Sequence, residues 1–171
     1  MEQCLQREQA VFHKHRSYID VINTLRIILE QTVEWQAILY MTFIDFEKAF
    51  DSVKREIIWL MLEEYGIPRK IIQIIKILFD GFKCKISHEG KLYDFIEFRN
   101  GVRQGCILSP TLLLLILDRV MKRVKGLRKR GIQWSMKEGL EELDYADDIC
   151  LLAQRYCDKE EKLKRLKEEA E

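Results

Sequence analysis

The stretch LDYADDICLL, from Leu143 to Leu152, places three carboxylates inside an otherwise apolar run. Charged side chains are rarely buried unless they are paired or bind something. The β-forming segments LEELDY (140–145) and ICLLA (149–153) lie on either side of Asp147 and Asp148. They predict a tight hairpin whose tip lies at Tyr145 to Asp148. Taken alone, Asp147 and Asp148 either shape this turn, as aspartates often do, or hold a ligand.

A further carboxylate, Asp45, interrupts the apolar stretch AILYMTFIDF from Ala37 to Phe46. We interpret this stretch as a strand buried on both faces, on which Phe43 and Asp45 share a side. If the strand pairs with the hairpin, the carboxylates of Asp45, Asp147 and Asp148 come together and repel one another. A divalent cation removes that repulsion, and an all-oxygen donor set suits Mg²⁺. Two such ions roughly 4 Å apart are a known device for phosphoryl transfer.

The remaining segments mix helical and β-forming patterns without regular βαβ alternation. KCKISHEGKLYDFIEF has two β-forming arms around Glu89-Gly90 and predicts a second hairpin. This order predicts an α+β fold, an antiparallel sheet backed by helices, and 171 residues suggest one domain. Helices are expected from Ser17, over Lys54 to Tyr65, after Pro68, from Pro110 to about Arg123, and over Asp158 to Glu171.

Bulk composition constrains the function only weakly. The net charge of +1 does not by itself indicate a nucleic-acid partner. The segment from Arg119 to Arg130 carries seven basic residues and no acidic one, and forms either a solvated face or a phosphate-facing patch.

Five cysteines without a CxxC pair predict reduced thiols and an intracellular protein, nuclear or cytoplasmic. The longest apolar run, Leu112 to Leu117, is too short for a membrane span, and nothing indicates a protein partner.

Three motifs occur in order along the chain: FIDFEKAFDSV (43–53), NGVRQGCILSP (100–110) and LDYADDICLLA (143–153). Together they closely resemble the palm of reverse transcriptases, in particular those of non-LTR retrotransposons (long interspersed elements). The resemblance covers nearly the whole chain. It implies a right-hand polymerase palm with part of the fingers and no thumb. Residues 1–36 would be a partial fingers segment and residues 37–171 the palm, incomplete at its C-terminus, with room for a fingers insertion within 54–100.

The resemblance also assigns the catalytic residues. Asp45, Asp147 and Asp148 match the family's catalytic carboxylates, and the Phe46 carbonyl matches an additional metal ligand. They would bind two Mg²⁺ ions, with Mn²⁺ as a substitute. Asp144 is expected to lie outside this site, as a turn or surface residue.

Other positions match residues that face the nucleotide or the template. Phe50 matches a steric gate against the ribose 2′-OH, although a core phenylalanine is the alternative. Gln104 and Gly105 match the loop that contacts the incoming nucleotide and the template, and Arg103 is a phosphate or template contact. Arg16 aligns with a fingers arginine that faces the nucleotide.

Some residues of the motifs are expected to be structural, and some depart from the family pattern. Lys48 and Asp51 are interpreted as a salt bridge or as caps. In FHKHRS, His13 stands where the family usually has Arg, and His15 stands where it usually has Gly.

The implied reaction is addition of a dNTP to a DNA primer on an RNA template. The alternative is an inactive retrotransposon-derived remnant, at most a weak RNA-binding module. The three intact aspartates favour the enzyme. His15 and the expected absence of a thumb favour the remnant, and the chain resembles a fragment of a longer element. An RNA-dependent RNA polymerase is disfavoured, because Phe50 would exclude the 2′-OH.

Overall fold

A computed structural model describes residues 17–81, 83–98, 100–126, 130–134 and 139–170. These residues fall into two compact units, whereas the length of the chain predicts one domain. The first unit contains the described residues up to Phe46 together with those from Leu117 onward, and the second is Glu47–Ile116. The elements are α1 (Tyr18–Glu34), β1 (Tyr40–Ile44), α2 (Ala49–Ser52), α3 (Arg55–Glu64), α4 (Arg69–Phe79), β2 (Lys83–His88), β3 (Lys91–Glu97), α5 (Leu108–Lys125), β4 (Ile132–Gln133), β5 (Gly139–Leu140), β6 (Glu142–Tyr145), β7 (Asp148–Ala153) and α6 (Tyr156–Ala170).

The first unit is built on an antiparallel sheet of three strands in the order β1-β7-β6. The central strand β7 is buried from Ile149 to Ala153, as its continuous apolar sequence predicts. Ile149 and Leu151 pack into one hydrophobic cluster and Cys150 and Leu152 into another, because alternate residues of a strand point to opposite faces. The predicted antiparallel sheet backed by helices is therefore confirmed, with helices on both faces.

Each face of this sheet is covered by different helices. Ile28 of α1 packs with Cys150 and Leu152 on one face. Met121 and Val124 of α5, with Leu166 of α6, pack on the other. Helix α1 begins after Ser17, as predicted, and the Asp20 carboxylate accepts a 2.7 Å hydrogen bond from the Ser17 N–H. That bond satisfies a backbone donor at the helix start.

Strand β1 is shorter and more exposed than the sequence predicts. It spans Tyr40–Ile44 rather than 37–46, and Phe43 is 68% exposed. Asp45 follows the strand and is also exposed. An edge strand in an antiparallel sheet can leave one face open, and apolar composition alone does not reveal this. The prediction of a strand buried on both faces is therefore wrong on the side of Phe43 and Asp45.

A buried lysine fastens α6 to the sheet. Lys162 is 1% exposed, and its ammonium donates hydrogen bonds to the carbonyls of Glu141 (3.1 Å) and Leu152 (2.8 Å). The same nitrogen lies 3.1 Å from the Glu141 carboxylate. Burial lowers the pKa of Lys162, and the charge of Glu141 opposes that effect. Lys162 thus connects α6 to β7 and to the residue that precedes β6.

The basic run from Arg119 to Arg130 contributes to the same unit. Lys125 pairs with buried Glu142 at 2.9 Å, and Arg130, itself 8% exposed, pairs with Glu161 at 2.7 Å. These two members of the run are neither a solvated face nor a phosphate-facing patch. They neutralise carboxylates that α6 and β6 bring into the unit.

The second unit contains a helical core and a hairpin. Helix α3 ends before Gly66, which has φ 73°, and α4 begins directly after Pro68, as predicted. The apolar residues of the core are Ile58, Met61, Leu62, Ile72, Ile75 and Phe79. Strands β2 and β3 pair in antiparallel fashion around Glu89-Gly90, which confirms the second predicted hairpin.

The structure also answers whether a described helix could cross a membrane and whether the described cysteines are paired. Within the described ranges, no helix combines the length and the hydropathy that a bilayer crossing requires. Cys84, Cys106, Cys150 and Cys157 are free thiols. Cys4, His13, His15 and Arg16 lie outside the described residues, so the predictions made for them are not tested by the structure.

Candidate active site

The predicted catalytic aspartates lie at one end of the three-stranded sheet. The register pairs Ile44, the last residue of β1, with Ile149, so Asp45 follows β1 at the end of the sheet where β7 begins with Asp148. Asp147 occupies the turn that precedes Asp148. Asp45 therefore lies at the same end of the sheet as the turn with Asp147 and Asp148, and their joint role in one site stays a prediction.

The turn that carries Asp147 is tight and anchored. Tyr145 pairs with Asp148 across the hairpin, so the turn itself consists of Ala146 and Asp147. Ala146 has φ 57°, a left-handed conformation that most residues avoid. The Tyr145 ring packs edge-to-face on Tyr18 of α1, with centroids 6.3 Å apart. This contact holds the last residue before the turn against the rest of the unit.

The exposure of the three aspartates differs from that of their neighbour Asp144. Asp45 and Asp148 are exposed and Asp147 is half-buried, so all three can meet a ligand from solvent. Asp144 is 5% exposed, and the expectation that it is a surface residue is wrong. Both faces of β6 are covered, which buries its polar residues together with its apolar ones. Burial, with the charge of Asp144, raises the pKa of the Cys150 thiol to about 11.

The donor atoms suit a hard cation. Mg²⁺ is usually held by one or two carboxylates together with waters and substrate phosphates, rather than by a full protein cage. Asp45 and Asp148 are the two carboxylates that follow and begin the paired strands β1 and β7. Across the described parts of the chain, no group of three or more His, Cys, Asp or Glu side chains is arranged to hold a metal ion. Metal binding by Asp45, Phe46, Asp147 and Asp148 therefore stays a prediction. The Phe46 ring itself packs on the core beside α5 and α6.

Four of the predicted nucleotide-facing residues lie in the second unit: Phe50, Arg103, Gln104 and Gly105. Gly101 connects the two motifs that carry them. The Val102 N–H donates a 2.7 Å hydrogen bond to the Phe50 carbonyl, and the Gly101 N–H donates one of 2.7 Å to Val53. Gly101 has φ 79°, and an added Cβ would lie 2.8 Å from the Phe50 carbonyl oxygen and 2.9 Å from Asp51 Cα. Only glycine fits this close approach. The loop that carries Arg103 and Gln104 is thus held against the helix that carries Phe50.

Arg55 and Phe79 reinforce the same loop. The Arg55 Nε donates to the Gly101 carbonyl at 3.3 Å, and its Nη1 donates to the Phe79 carbonyl at 3.0 Å. The guanidinium groups of Arg55 and Arg103 lie 5.8 and 5.6 Å from the centre of the buried Phe79 ring, within cation–π range. A cleft of about 250 Å³ opens beside them and is lined by Asp51, Arg55, Cys84, Phe98, Asn100, Gly101, Val102, Arg103 and Gln104.

The end of this loop is open to solvent. Gln104 and Gly105 are exposed, and Gly105 has φ 83° with open space where a Cβ would lie. Next along the chain, a hydrogen bond from the Leu108 backbone lowers the pKa of Cys106, and slight burial opposes this.

Lys48 caps α2 through its carbonyl, which accepts hydrogen bonds of 2.8 Å from Asp51 N–H and 2.9 Å from Ser52 N–H.

Sequence reasoning singled out Gly105 in this loop but missed the structural roles of Gly101 and Arg55. The Asn-Gly dipeptide at 100–101 is a turn signal and would have drawn attention to Gly101. No sequence signal marks Arg55, because its partners are carbonyl groups of distant residues.

Comparison with known proteins identifies the family. The family described as "Reverse transcriptase (RNA-dependent DNA polymerase)" matches residues 1–171. The Pol polyprotein of retrotransposable element R2 from Popillia japonica is 29% identical over 136 residues, which cover 77% of this chain and 22% of that protein. The R2DM Pol polyprotein of Drosophila melanogaster is 32% identical over 116 residues (67% of this chain, 11% of that protein). An uncharacterized 149 kDa protein of transposon TX1 from Xenopus laevis is 29% identical over 149 residues (85% and 11%).

Solved structures agree with the fold. Telomerase from Candida tropicalis in complex with a TWJ fragment of telomeric RNA aligns with a TM-score of 0.64 at 15% identity, over 95% of this chain and 28% of that one. An apo form truncated from the C-terminal domain aligns with a TM-score of 0.59 at 18% identity, over 95% and 32%. Identities this low support the fold alone.

The chain spans between 11% and 22% of the length of these three retrotransposon proteins. Three observations agree: the three motifs, the antiparallel sheet and the family match over residues 1–171. The predicted relationship to non-LTR retrotransposon polymerases is confirmed. The chain belongs to the reverse transcriptase (RNA-dependent DNA polymerase) family.

Proposed function

We propose that this chain carries the polymerase site of a retrotransposon reverse transcriptase, which extends a DNA primer on an RNA template with dNTPs. The observation that carries the proposal is the β1–β7 register. It pairs Ile44 with Ile149, so Asp45 follows β1 at the end of the sheet where Asp148 begins β7, after Asp147 in an anchored two-residue turn. In a member of this family, three carboxylates at one sheet edge are the groups that phosphoryl transfer requires.

In the proposed reaction, the primer 3′-oxygen attacks the α-phosphate of the dNTP and loses its proton. A P–O bond to that oxygen forms while the bond to the leaving pyrophosphate breaks. The side chains of Asp45, Asp147 and Asp148, with the Phe46 carbonyl, would hold the divalent cations. Bound Mg²⁺ would lower the pKa of the attacking hydroxyl and neutralise charge on the leaving oxygens.

Phe50, Arg103, Gln104 and Gly105 would face the nucleotide or the template, as the family resemblance implies. Phe50 would exclude a ribose 2′-OH by steric contact, while Gln104 and the Gly105 backbone would contact the incoming nucleotide. Arg103 would contact a phosphate of the nucleotide or template. The hydrogen bond from Val102 to the Phe50 carbonyl supports a coordinated role, because it links the gate residue to this loop. Positioning and electrostatic stabilisation together supply most of the rate in phosphoryl transfer.

Activity is tested by dTTP incorporation on poly(rA)/oligo(dT) with Mg²⁺ or Mn²⁺. We expect Asp147→Asn and Asp148→Asn to lower incorporation at least about 100-fold, since they remove charge that stabilises the transition state. The matched control is Asp80→Asn, which neutralises an exposed aspartate just after α4 and should retain the wild-type rate.

The alternative is an inactive remnant. Nothing in the comparisons or in the described residues favours it. Incorporation that is unaffected by both aspartate substitutions would contradict the proposed site. Absence of incorporation, even when the chain is extended to the length of its relatives, would favour the remnant.

A further inference from the structure

The peptide bond between Gly101 and Val102, which we call the linking peptide, is held at both of its polar ends. Its N–H, on Val102, donates a 2.7 Å hydrogen bond to the Phe50 carbonyl. Its carbonyl, on Gly101, accepts a 3.3 Å hydrogen bond from Arg55 Nε. A trans peptide is planar, and its N–H and C=O point in opposite directions. This one plane therefore joins the Arg55 guanidinium to the backbone of Phe50.

The linking peptide begins with a glycine, which makes its plane easier to rotate. Glycine tolerates backbone angles that other residues avoid, and Gly101 already has φ 79°. A flip of the plane would set the Gly101 carbonyl oxygen against the Phe50 carbonyl oxygen. Gly101 and Val102 are buried, so water cannot readily replace the lost partners. The Arg55 hydrogen bond opposes the flip, because the Gly101 carbonyl would lose its donor.

Arg55 is itself fixed by a second set of contacts. Its Nη1 donates a 3.0 Å hydrogen bond to the carbonyl of Phe79, the last residue of α4, where a helix leaves carbonyl groups without partners of its own. The guanidinium also lies 5.8 Å from the centre of the buried Phe79 ring. A guanidinium presents its donors in a rigid fork, whereas a lysine ammonium is a point charge on a flexible stem. Lysine at position 55 would therefore keep the charge and lose the fixed geometry.

Two residues that are proposed to face the nucleotide or the template depend on the linking peptide. Phe50, the proposed steric gate, is held at its carbonyl, and Arg103 directly follows Val102 along the chain. We infer that Arg55 is a positioning residue for nucleotide selection, because it holds the linking peptide and so fixes the Phe50 gate relative to the loop that carries Arg103. This inference rests on the proposed function, which assigns Phe50 and Arg103 their roles.

The test compares wild type with Arg55→Lys on poly(rA)/oligo(dT). Two quantities are measured: the KM for dTTP, and the ratio of kcat/KM for dTTP to kcat/KM for UTP. A loosened linking peptide leaves fewer molecules with gate and loop in place, and apparent affinity falls with that fraction. We expect the KM for dTTP to rise about fivefold and the dTTP/UTP ratio to fall about tenfold, because small misplacements of substrate-positioning groups have large effects on rate.

These two quantities separate positioning from stability. Neither depends on how much of the enzyme is folded, so a purely structural role of Arg55 would lower the total rate and leave both unchanged. The matched control is Arg69→Lys, at an exposed arginine that begins α4, and it should keep the wild-type KM and ratio. Wild-type KM and ratio in Arg55→Lys would overturn the inference. Arg55→Gln, which keeps one donor group, is measured in the same way if Arg55→Lys does not fold, and if neither variant folds, Arg55 serves stability and the inference fails.

Phe50→Ala removes the gate directly and should lower the dTTP/UTP ratio, because the 2′-OH of UTP no longer meets a ring. If Arg55 acts through the gate, adding Arg55→Lys to Phe50→Ala should lower the ratio no further, since coupled residues are not additive. A second, independent drop of about tenfold would contradict the inference.

The same measurements separate this inference from the proposed function. Incorporation that requires Asp147 and Asp148 but is insensitive to Arg55→Lys leaves the polymerase standing and removes the inference. An unchanged dTTP/UTP ratio in Phe50→Ala contradicts the gate, which belongs to the proposed function, and the inference fails with it. Absence of incorporation by the wild type, even when the chain is extended to the length of its relatives, removes both.

Discussion

Two hairpins with two-residue turns serve different purposes in this chain. Hairpin β6–β7 is buried along nearly its whole length and carries Asp147 and Asp148 at its tip. Hairpin β2–β3 is exposed at almost every described position, including Tyr93 and Phe95. The buried hairpin gains rigidity from packing on both faces, which suits carboxylates that must keep a fixed geometry. The exposed hairpin lacks that stabilisation, and its side chains form an accessible surface.

Among these substitutions, we expect removal of the buried Lys162 to lower the free energy of unfolding most. Lys162→Met leaves the Glu141 carboxylate without its ammonium partner and removes hydrogen bonds to the carbonyls of Glu141 and Leu152. We expect the free energy of unfolding, measured by urea denaturation, to fall by about 3–5 kcal/mol. Lys164→Met is the matched control, because the Lys164 side chain is 77% exposed and should cost about 1 kcal/mol or less. Equal effects of the two substitutions would show that Lys162 does not connect α6 to the hairpin.

Leucine truncation compares the two hairpins directly. Leu152 of β7 is fully buried, whereas Leu92 of β3 is 68% exposed. Leu152→Ala should lower the free energy of unfolding by about 2–5 kcal/mol, because it leaves a cavity. Leu92→Ala should change it by about 0.5 kcal/mol or less. A large cost for Leu92→Ala in the same urea titration would mean that the exposed hairpin is packed in solution.

The two turns should respond to substitution with opposite signs. Gly90 has φ 75°, a conformation that glycine adopts freely, and Ala146 has φ 57°, a conformation that costs an alanine about 1–2 kcal/mol. Gly90→Ala should therefore destabilise β2–β3 by about 1 kcal/mol, and Ala146→Gly should stabilise β6–β7 by a similar amount. Native-state hydrogen exchange of the strand amides measures both changes locally. Same-sign changes in protection would mean that backbone strain does not distinguish the turns.

The sequence was sufficient for features that depend on neighbouring residues. Ser17 before α1, Gly66 after α3 and the turn at Glu89-Gly90 follow from local capping and turn preferences, and the structure confirms them. The pairing of β1 with β7 entered the sequence analysis only as the condition under which the carboxylates come together, and the structure shows that pairing.

The features that the sequence did not predict depend on tertiary partners. Nothing in the tail helix distinguishes Lys162 from its exposed neighbours, because burial depends on which side of α6 meets the sheet. Asp144 was misassigned for the same reason. The exposure of Phe43 depends on β1 being an edge strand, and the two compact units do not follow from chain length. The division into residues 1–36 and 37–171 stays a prediction, since compactness assigns neither unit to fingers or palm.

The last prediction concerns the reactivity of two cysteine thiols. It compares the buried hairpin β6–β7 with the open loop that carries Gln104 and Gly105. Burial and the charge of Asp144 raise the pKa of Cys150 in β7 to about 11, whereas the Leu108 backbone hydrogen bond lowers the pKa of Cys106. The thiolate is the reactive form, so a lower pKa gives more of it at a given pH. At pH 8 only about one Cys150 in a thousand would be ionised.

Labelling of the native chain with iodoacetamide, followed by peptide mass spectrometry, should therefore modify Cys106 well before Cys150. Between pH 7 and 9 the rate at Cys106 should level off at a lower pH in the native chain than in urea, because the lowered pKa brings its ionisation to lower pH. In urea both environments are lost, and the cysteines should react alike. Early labelling of Cys150 in the native chain would show that β7 opens readily, and the contrast between the buried hairpin β6–β7 and the exposed hairpin β2–β3 would not hold.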